Sequence, residues 1–143
     1  MAFPDRIERT MTLARPPREV WPALTTAEGL GAWFGERATI DLRPGGAASI
    51  TFAGGMRVEM RVERVDEPSV FAYTWRLPNL PEDDPRRTYV EFTLEPAGDG
   101  TLLRVTETGF AQLPPGIRRE TYESHRDGWS RELAELADHV NGP

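Results

Sequence analysis

The stretch Tyr122-Glu123-Ser124-His125-Arg126-Asp127-Gly128-Trp129-Ser130-Arg131-Glu132-Leu133-Ala134-Glu135-Leu136 decides the fold of this chain. Tyr122, His125, Trp129, Leu133, Leu136 and Val140 recur at steps of three and four, so they lie on one stripe of a helix predicted over 115–140. The C-terminal half of the stripe is Leu and Val, whereas the N-terminal half is Tyr, His and Trp. A helix that only fills a core has no need to gather its hydrogen-bonding aromatics at one end. One that closes a cavity over a sheet does, with apolar anchors at one end and a ligand-facing wall at the other. Gly128 sits mid-helix, at a cost of roughly 1 kcal/mol against Ala, and predicts close packing beside Trp129. Asn141, Gly142 and Pro143 supply the stop.

Upstream of this helix the pattern is one of strands. Residues 7–13 alternate in period two as a half-buried strand. Pro16-Pro17 opens a short helix with Val20, Trp21 and Leu24 on its apolar face. Thr26 caps a second short helix that carries Leu30, Trp33 and Phe34 and stops at Gly35. Between residues 36 and 109 three inward rows stand out: Val58, Met60 and Val62; Phe71, Tyr73, Trp75 and Leu77; Val90, Phe92 and Leu94. Arg57, Glu59, Arg61 and Glu63 alternate with the first of these, so that face is wet. Asp41 to Gly46, Gly54-Gly55 and Pro96 to Gly100 are turns, and Leu103, Val105 and Glu107 complete the last inward row. The proline-rich, acidic stretch from Leu77 to Arg87 reads as a mobile loop. Such alternation predicts an antiparallel sheet covered on one side. At roughly 1.5 Å per residue, 22 helical residues span about 33 Å, so only the terminal helix can cover the sheet's concave face. The expected architecture is α+β: about seven curved antiparallel strands, two short helices after the first strand, and a long C-terminal helix.

Composition narrows the function. At 143 residues the chain is expected to form a single domain across its whole length, able to bury about 68–70% of its unfolded surface. Its net charge is −6 and its basic residues are scattered, which argues against nucleic acid. No apolar run reaches membrane-spanning length and no export signal is legible, so a soluble, cytoplasmic protein is expected. There is no cysteine, hence no disulfide or thiolate chemistry. All 17 basic residues are arginine, a bias that arginine-rich codon usage explains, and no Schiff-base or phosphate-loop lysine exists.

The run from Pro17 to Thr25, then Trp33-Phe34, Arg43-Pro44-Gly45-Gly46, Thr74-Trp75-Arg76, Gly100-Thr101, Glu107-Thr108-Gly109-Phe110 and Gly128-Trp129 together resemble the SRPBCC (START-like) superfamily. Within it they are most similar to the branch named after the C-terminal domain of the activator of the heat-shock protein 90 ATPase. The resemblance runs from about Ile7 to Val140. It implies a helix-grip fold with a hydrophobic cavity between sheet and terminal helix. No counterpart of the eukaryotic activator's separate chaperone-contacting domain is expected, so the resemblance does not imply chaperone activation.

The candidate pocket residues are Trp33, Phe34, Tyr73, Trp75, Phe92, Glu107, Tyr122, His125 and Trp129. For each, core packing is the competing reading. Glu107 is the sharpest, since an unpaired buried carboxylate is costly. Either it faces a polar pocket and pairs with His125, or its strand ends there and it is solvated. A Glu107–His125 pair could hold a polar ligand group or act as a general acid and base. No nucleophile stands beside it. Glu82, Asp83 and Asp84 read as a solvated charge run rather than a metal site, and no cofactor is expected. Three functions follow: binding a hydrophobic or amphipathic small molecule without chemistry, a cyclase- or hydratase-type enzyme using Glu107 and His125, or a protein-interaction module such as a chaperone cofactor. Free sheet edges leave monomer and homodimer both open.

Overall fold

The alternation read from the sequence resolves into one sheet. The computed structural model describes residues 5–142. Its strands are β1 (Arg6–Leu13), β2 (Arg37–Ile40), β3 (Ala47–Thr51), β4 (Arg57–Asp66), β5 (Val70–Arg76), β6 (Arg87–Ala97) and β7 (Gly100–Thr108). They form a single curved antiparallel sheet in the order β1-β7-β6-β5-β4-β3-β2. Six strands meander and β1 closes against the last of them. Register matters for the site. Val62 faces Tyr73, Tyr73 faces Val90, Val90 faces Glu107 and Glu107 faces Ile7, so one carboxylate sits in an otherwise apolar and aromatic row.

Two short helices, α1 (Pro17–Thr25) and α2 (Ala27–Trp33), connect β1 to β2. Thr26 caps α2 by accepting from the Gly29 amide at 2.9 Å. Trp33 donates its indole N–H to the Ala23 carbonyl at 2.7 Å, locking α2 onto α1. After a single 3-10 turn at Phe110–Gln112, the long helix α3 runs Pro115–Asn141. Its stripe behaves as the periodicity requires: Trp129, Leu133, Leu136 and Val140 are buried against the sheet, while Tyr122 and His125 are half-buried. Asn141 ends the helix and its side chain accepts from the Ala14 amide at 2.8 Å, tying the C-terminus to the end of β1. Pro143 lies outside the described residues.

Two expectations are corrected. Gly128 does not mark close packing: a Cβ there would meet only the tip of Arg131, at 3.8 Å. Trp129 carries the packing, and Gly128, about a hundred degrees round the helix, falls just outside the buried stripe. Of the expected loop from Leu77 to Arg87, residues 77–86 are not strand and Arg87 begins β6, but the loop is tied down. Leu77 is buried, Asn79 donates to Thr121 of α3 at 2.6 Å, and Arg86 reaches the Gln112 carbonyl at 3.2 Å.

Candidate functional site

The centre of the molecule is a carboxylate surrounded by donors. Glu107 on β7 is fully buried. Trp129 of α3 donates its indole N–H to Oε1 at 2.8 Å, and Trp75 of β5 donates to Oε2 at 2.9 Å. The Thr88 hydroxyl of β6 also donates to Oε2, and Thr88 in turn accepts from Trp75 at 2.8 Å. His125 places Nδ1 at 3.0 and 2.9 Å from the two oxygens. Burial by itself pushes this carboxyl up, but the His125 bond and charge, with the Thr88 and Trp75 bonds, hold it below the ordinary value. Glu107 is therefore a carboxylate, which only accepts, and His125 must carry its proton on Nδ1. Three strands and the terminal helix meet at one charge.

That hub orients the rings around it. Phe34 stacks on Trp33 with centroids 4.8 Å apart and on Trp129 at 5.6 Å. Trp129 stacks on Trp75 at 5.9 Å and meets Phe92 edge-on at 5.8 Å. His125 meets Trp75 edge-on at 5.8 Å and Phe110 at 5.6 Å. Every indole N–H in this wall points into the protein, toward Glu107 or the Ala23 carbonyl. What remains outward is apolar ring.

A cleft of about 590 Å³ opens beside the hub, between α3, the end of α2 and the β3–β4 hairpin. Among the expected residues, Trp33, Phe34, Trp75, His125 and Trp129 border it, and Tyr73, Phe92, Glu107 and Tyr122 do not. Each of these four has a physical reason to be elsewhere. Glu107 is enclosed by its donors. Phe92 lies beneath Trp129. Tyr122 donates to the Arg6 carbonyl at 3.0 Å and packs against Phe110. Tyr73 is wholly buried, and its hydroxyl has no hydrogen-bond partner among the described residues. Burial, and then the Glu107 charge, push that phenol well above its usual range.

The cleft lies between α3 and the part of the sheet where Val58 and Trp75 border it, and Tyr73, Phe92 and Glu107 occupy the interior behind it. Bordering rings show only slivers: Trp33 is 4%, Phe34 4%, Trp75 7% and Trp129 3% exposed. The rest of the wall comes from positions that sequence reasoning did not place at the pocket. Phe52, Met56 and Val58 of the hairpin line one side, and Gly128 lines the other with bare helix backbone. Thr88 was also missed, although its place two residues before Val90 and four before Phe92 puts it in the inward row. At the mouth stand Arg76, Arg131, Glu132 and Glu135. Burial raises the Glu132 carboxyl above its ordinary value, with Arg131 opposing.

Asp84 accepts from Arg86, whose side-chain and backbone bonds hold its carboxyl low. Among the described residues no group of three or more His, Asp and Glu could hold a metal ion. No described helix is long and apolar enough to cross a membrane.

The family model described as Activator of Hsp90 ATPase homolog 1-like protein matches residues 14–141. Protein MLL2253 from Mesorhizobium loti is 26% identical over 93% of this chain and 94% of that one, with a TM-score of 0.79. The Aha1 dimer from Colwellia psychrerythraea is 21% identical over 96% of both chains, with a TM-score of 0.75. PFC0360w, an HSP90 activator from Plasmodium falciparum, is 20% identical over 97% of both chains, with a TM-score of 0.77. The last two likenesses are of fold. No curated protein matches this sequence significantly.

Proposed function

The chain belongs to the Activator of Hsp90 ATPase homolog 1-like family, and from that premise we propose that it binds a hydrophobic or amphipathic small molecule in the cleft beside α3, without catalysing a reaction. The observation that carries this reading is the bare wall at Gly128. A mid-helix glycine costs roughly 1 kcal/mol against alanine, and here it relieves no backbone clash. What it provides is room: about 590 Å³ of cleft with helix backbone on one side and aromatic rings on the other. That volume lies within the range of small-molecule sites. An apolar body would lie on Phe52, Met56 and the exposed edges of Trp33, Phe34 and Trp129, with its polar end among Arg76, Arg131 and Glu132 at the mouth.

An enzyme using Glu107 and His125 as an acid–base couple is less well supported. Glu107 does not border the cleft, so only His125 could reach a ligand. The interaction-module reading has little surface to work with, since the exposed large apolar residues among those described are Leu42 and Met56.

Native mass spectrometry of the purified protein, followed by denaturation and extraction, tests the proposal. A co-purifying small molecule displaced by the substitution Gly128→Leu is the expected result. An empty protein whose melting temperature no lipid or aromatic panel raises would overturn it.

A further inference from the structure

Resting on that reading, we infer that the cleft selects ligands that bring a hydrogen-bond donor, an O–H or N–H on a flat apolar body, and that Nε2 of His125 is the atom that reads it. Along the inner wall the indole N–H groups are already engaged. Trp33 has its N–H on the Ala23 carbonyl, and Trp75 and Trp129 have theirs on Glu107. The side chains of Phe34, Phe52, Met56 and Val58 offer no hydrogen-bonding nitrogen or oxygen. Gly128 offers backbone already committed to the helix. His125 is different: it borders the cleft, and only one of its two nitrogens is engaged inside the protein.

The engaged nitrogen determines what the other can do. Both oxygens of Glu107 lie within 3.0 Å of Nδ1, and that carboxylate can only accept. The proton is therefore on Nδ1, and in the neutral ring Nε2 presents a lone pair. Nε2 has no hydrogen-bond partner among the described residues, and it lies on the opposite side of the ring from Glu107. The ring cannot easily turn to offer a different atom. It is wedged edge-on between Trp75 at 5.8 Å and Phe110 at 5.6 Å. A ligand that places an acceptor there meets another lone pair, while a ligand with a donor completes the chain from ligand to His125 to Glu107. Glu107 is thus a positioning residue, and His125 the recognition residue.

A pair of probes of nearly the same shape tests this: 1-naphthol carries the donor and 1-methoxynaphthalene lacks it. Calorimetric titration of the wild-type protein at about pH 8, above the ordinary imidazole range, is expected to show 1-naphthol binding about tenfold tighter, the effect of one net hydrogen bond. His125→Phe should erase that preference while leaving 1-methoxynaphthalene binding as it was. His139→Phe, which removes the other histidine, exposed and outside the cleft, should leave the preference intact. Equal affinities in the wild type, or a preference for 1-methoxynaphthalene, would overturn the assignment of Nε2 while leaving the cleft a binding site. If neither probe binds, both this inference and the binding reading beneath it fail. The wild-type comparison needs no variant to fold.

Discussion

Replacing Glu107 by glutamine should cost far more than a neutral, nearly isosteric change ordinarily does. The carboxylate accepts from Trp75, Thr88, Trp129 and His125. An amide keeps one accepting oxygen and turns the other into a donor. If the NH₂ takes the Oε1 position, the Trp129 N–H loses the only acceptor it has and faces another donor. If it takes the Oε2 position, Trp75 can fall back on the Thr88 hydroxyl at 2.8 Å, which must then give up its own bond to residue 107. The second arrangement is the cheaper. Even so, the surviving bonds lose their charge assistance, which takes each from about 1.5–3 to about 0.5–1.5 kcal/mol. Against this stands one gain, that a charge need no longer be held out of water. The expected net loss is about 2–4 kcal/mol, a large part of the roughly 5–15 kcal/mol that holds a domain together. Urea unfolding followed by circular dichroism and tryptophan fluorescence, compared at equal m, measures it. A loss below about 0.5 kcal/mol would show that the four donors are as well satisfied without the charge, and would refute the hub.

Three further outcomes follow from the same geometry. The lowered carboxyl of Glu107 makes its contribution to stability fully present above the unfolded carboxylate range, near pH 4.3, and lost as pH falls through the lower folded value. Wild type and Glu107→Gln should therefore converge in acid, and unfolding curves that stay parallel from neutral to acid pH would contradict this. Gly128→Ala should leave the fold as stable or firmer by up to about 1 kcal/mol, because the new Cβ meets only Arg131 at 3.8 Å, whereas Gly128→Leu should fill the cleft and abolish 1-naphthol binding; unchanged affinity in the leucine variant would mean the ligand lies elsewhere. Asn141→Ala frees the Ala14 amide at the end of β1 and should cost about 1 kcal/mol, read as a lower urea midpoint, with no change counting against the clasp.

The architecture was legible because its signals are periodic. The alternation of Val58, Met60 and Val62 with charged neighbours, the turn chemistry of Gly54-Gly55, and the three-and-four spacing from Tyr122 to Val140 each specify a face without reference to any other part of the chain. The pairing of Glu107 with His125 was also within reach, since an inward carboxylate and an inward imidazole have few other ways to be satisfied. The outline of the cleft was not. Whether a ring borders open space or only another ring depends on how side chains from five elements interdigitate, and periodicity says nothing of that. Tyr122 and Gly128 illustrate the limit from opposite sides. Tyr122 shares the stripe with His125, yet Phe110 and the Arg6 carbonyl claim it. Gly128 lies off the stripe, and its lack of a side chain, read from sequence as a mark of tight packing, leaves room for a ligand.

The position of the charge explains why the opening lies where it does. An indole inside a protein needs a partner for its N–H, and two of the indoles that border the cleft find theirs on one buried carboxylate. Glu107 draws Trp75 and Trp129 inward by their polar ends, from a strand and from the helix above it. The rings then stack on each other and on Phe34, which closes the space between sheet and helix that a curved sheet would otherwise leave. The room that remains lies at one end of that space, against the hairpin and the glycine. The same arrangement strips the cleft wall of indole donors, while His125, which borders the cleft, keeps one ring nitrogen without a hydrogen-bond partner among the described residues. A hub that looks like a device for stability therefore also sets what the cleft can recognise: apolar area from the rings and, in the neutral ring of His125, one acceptor nitrogen whose tautomer Glu107 dictates.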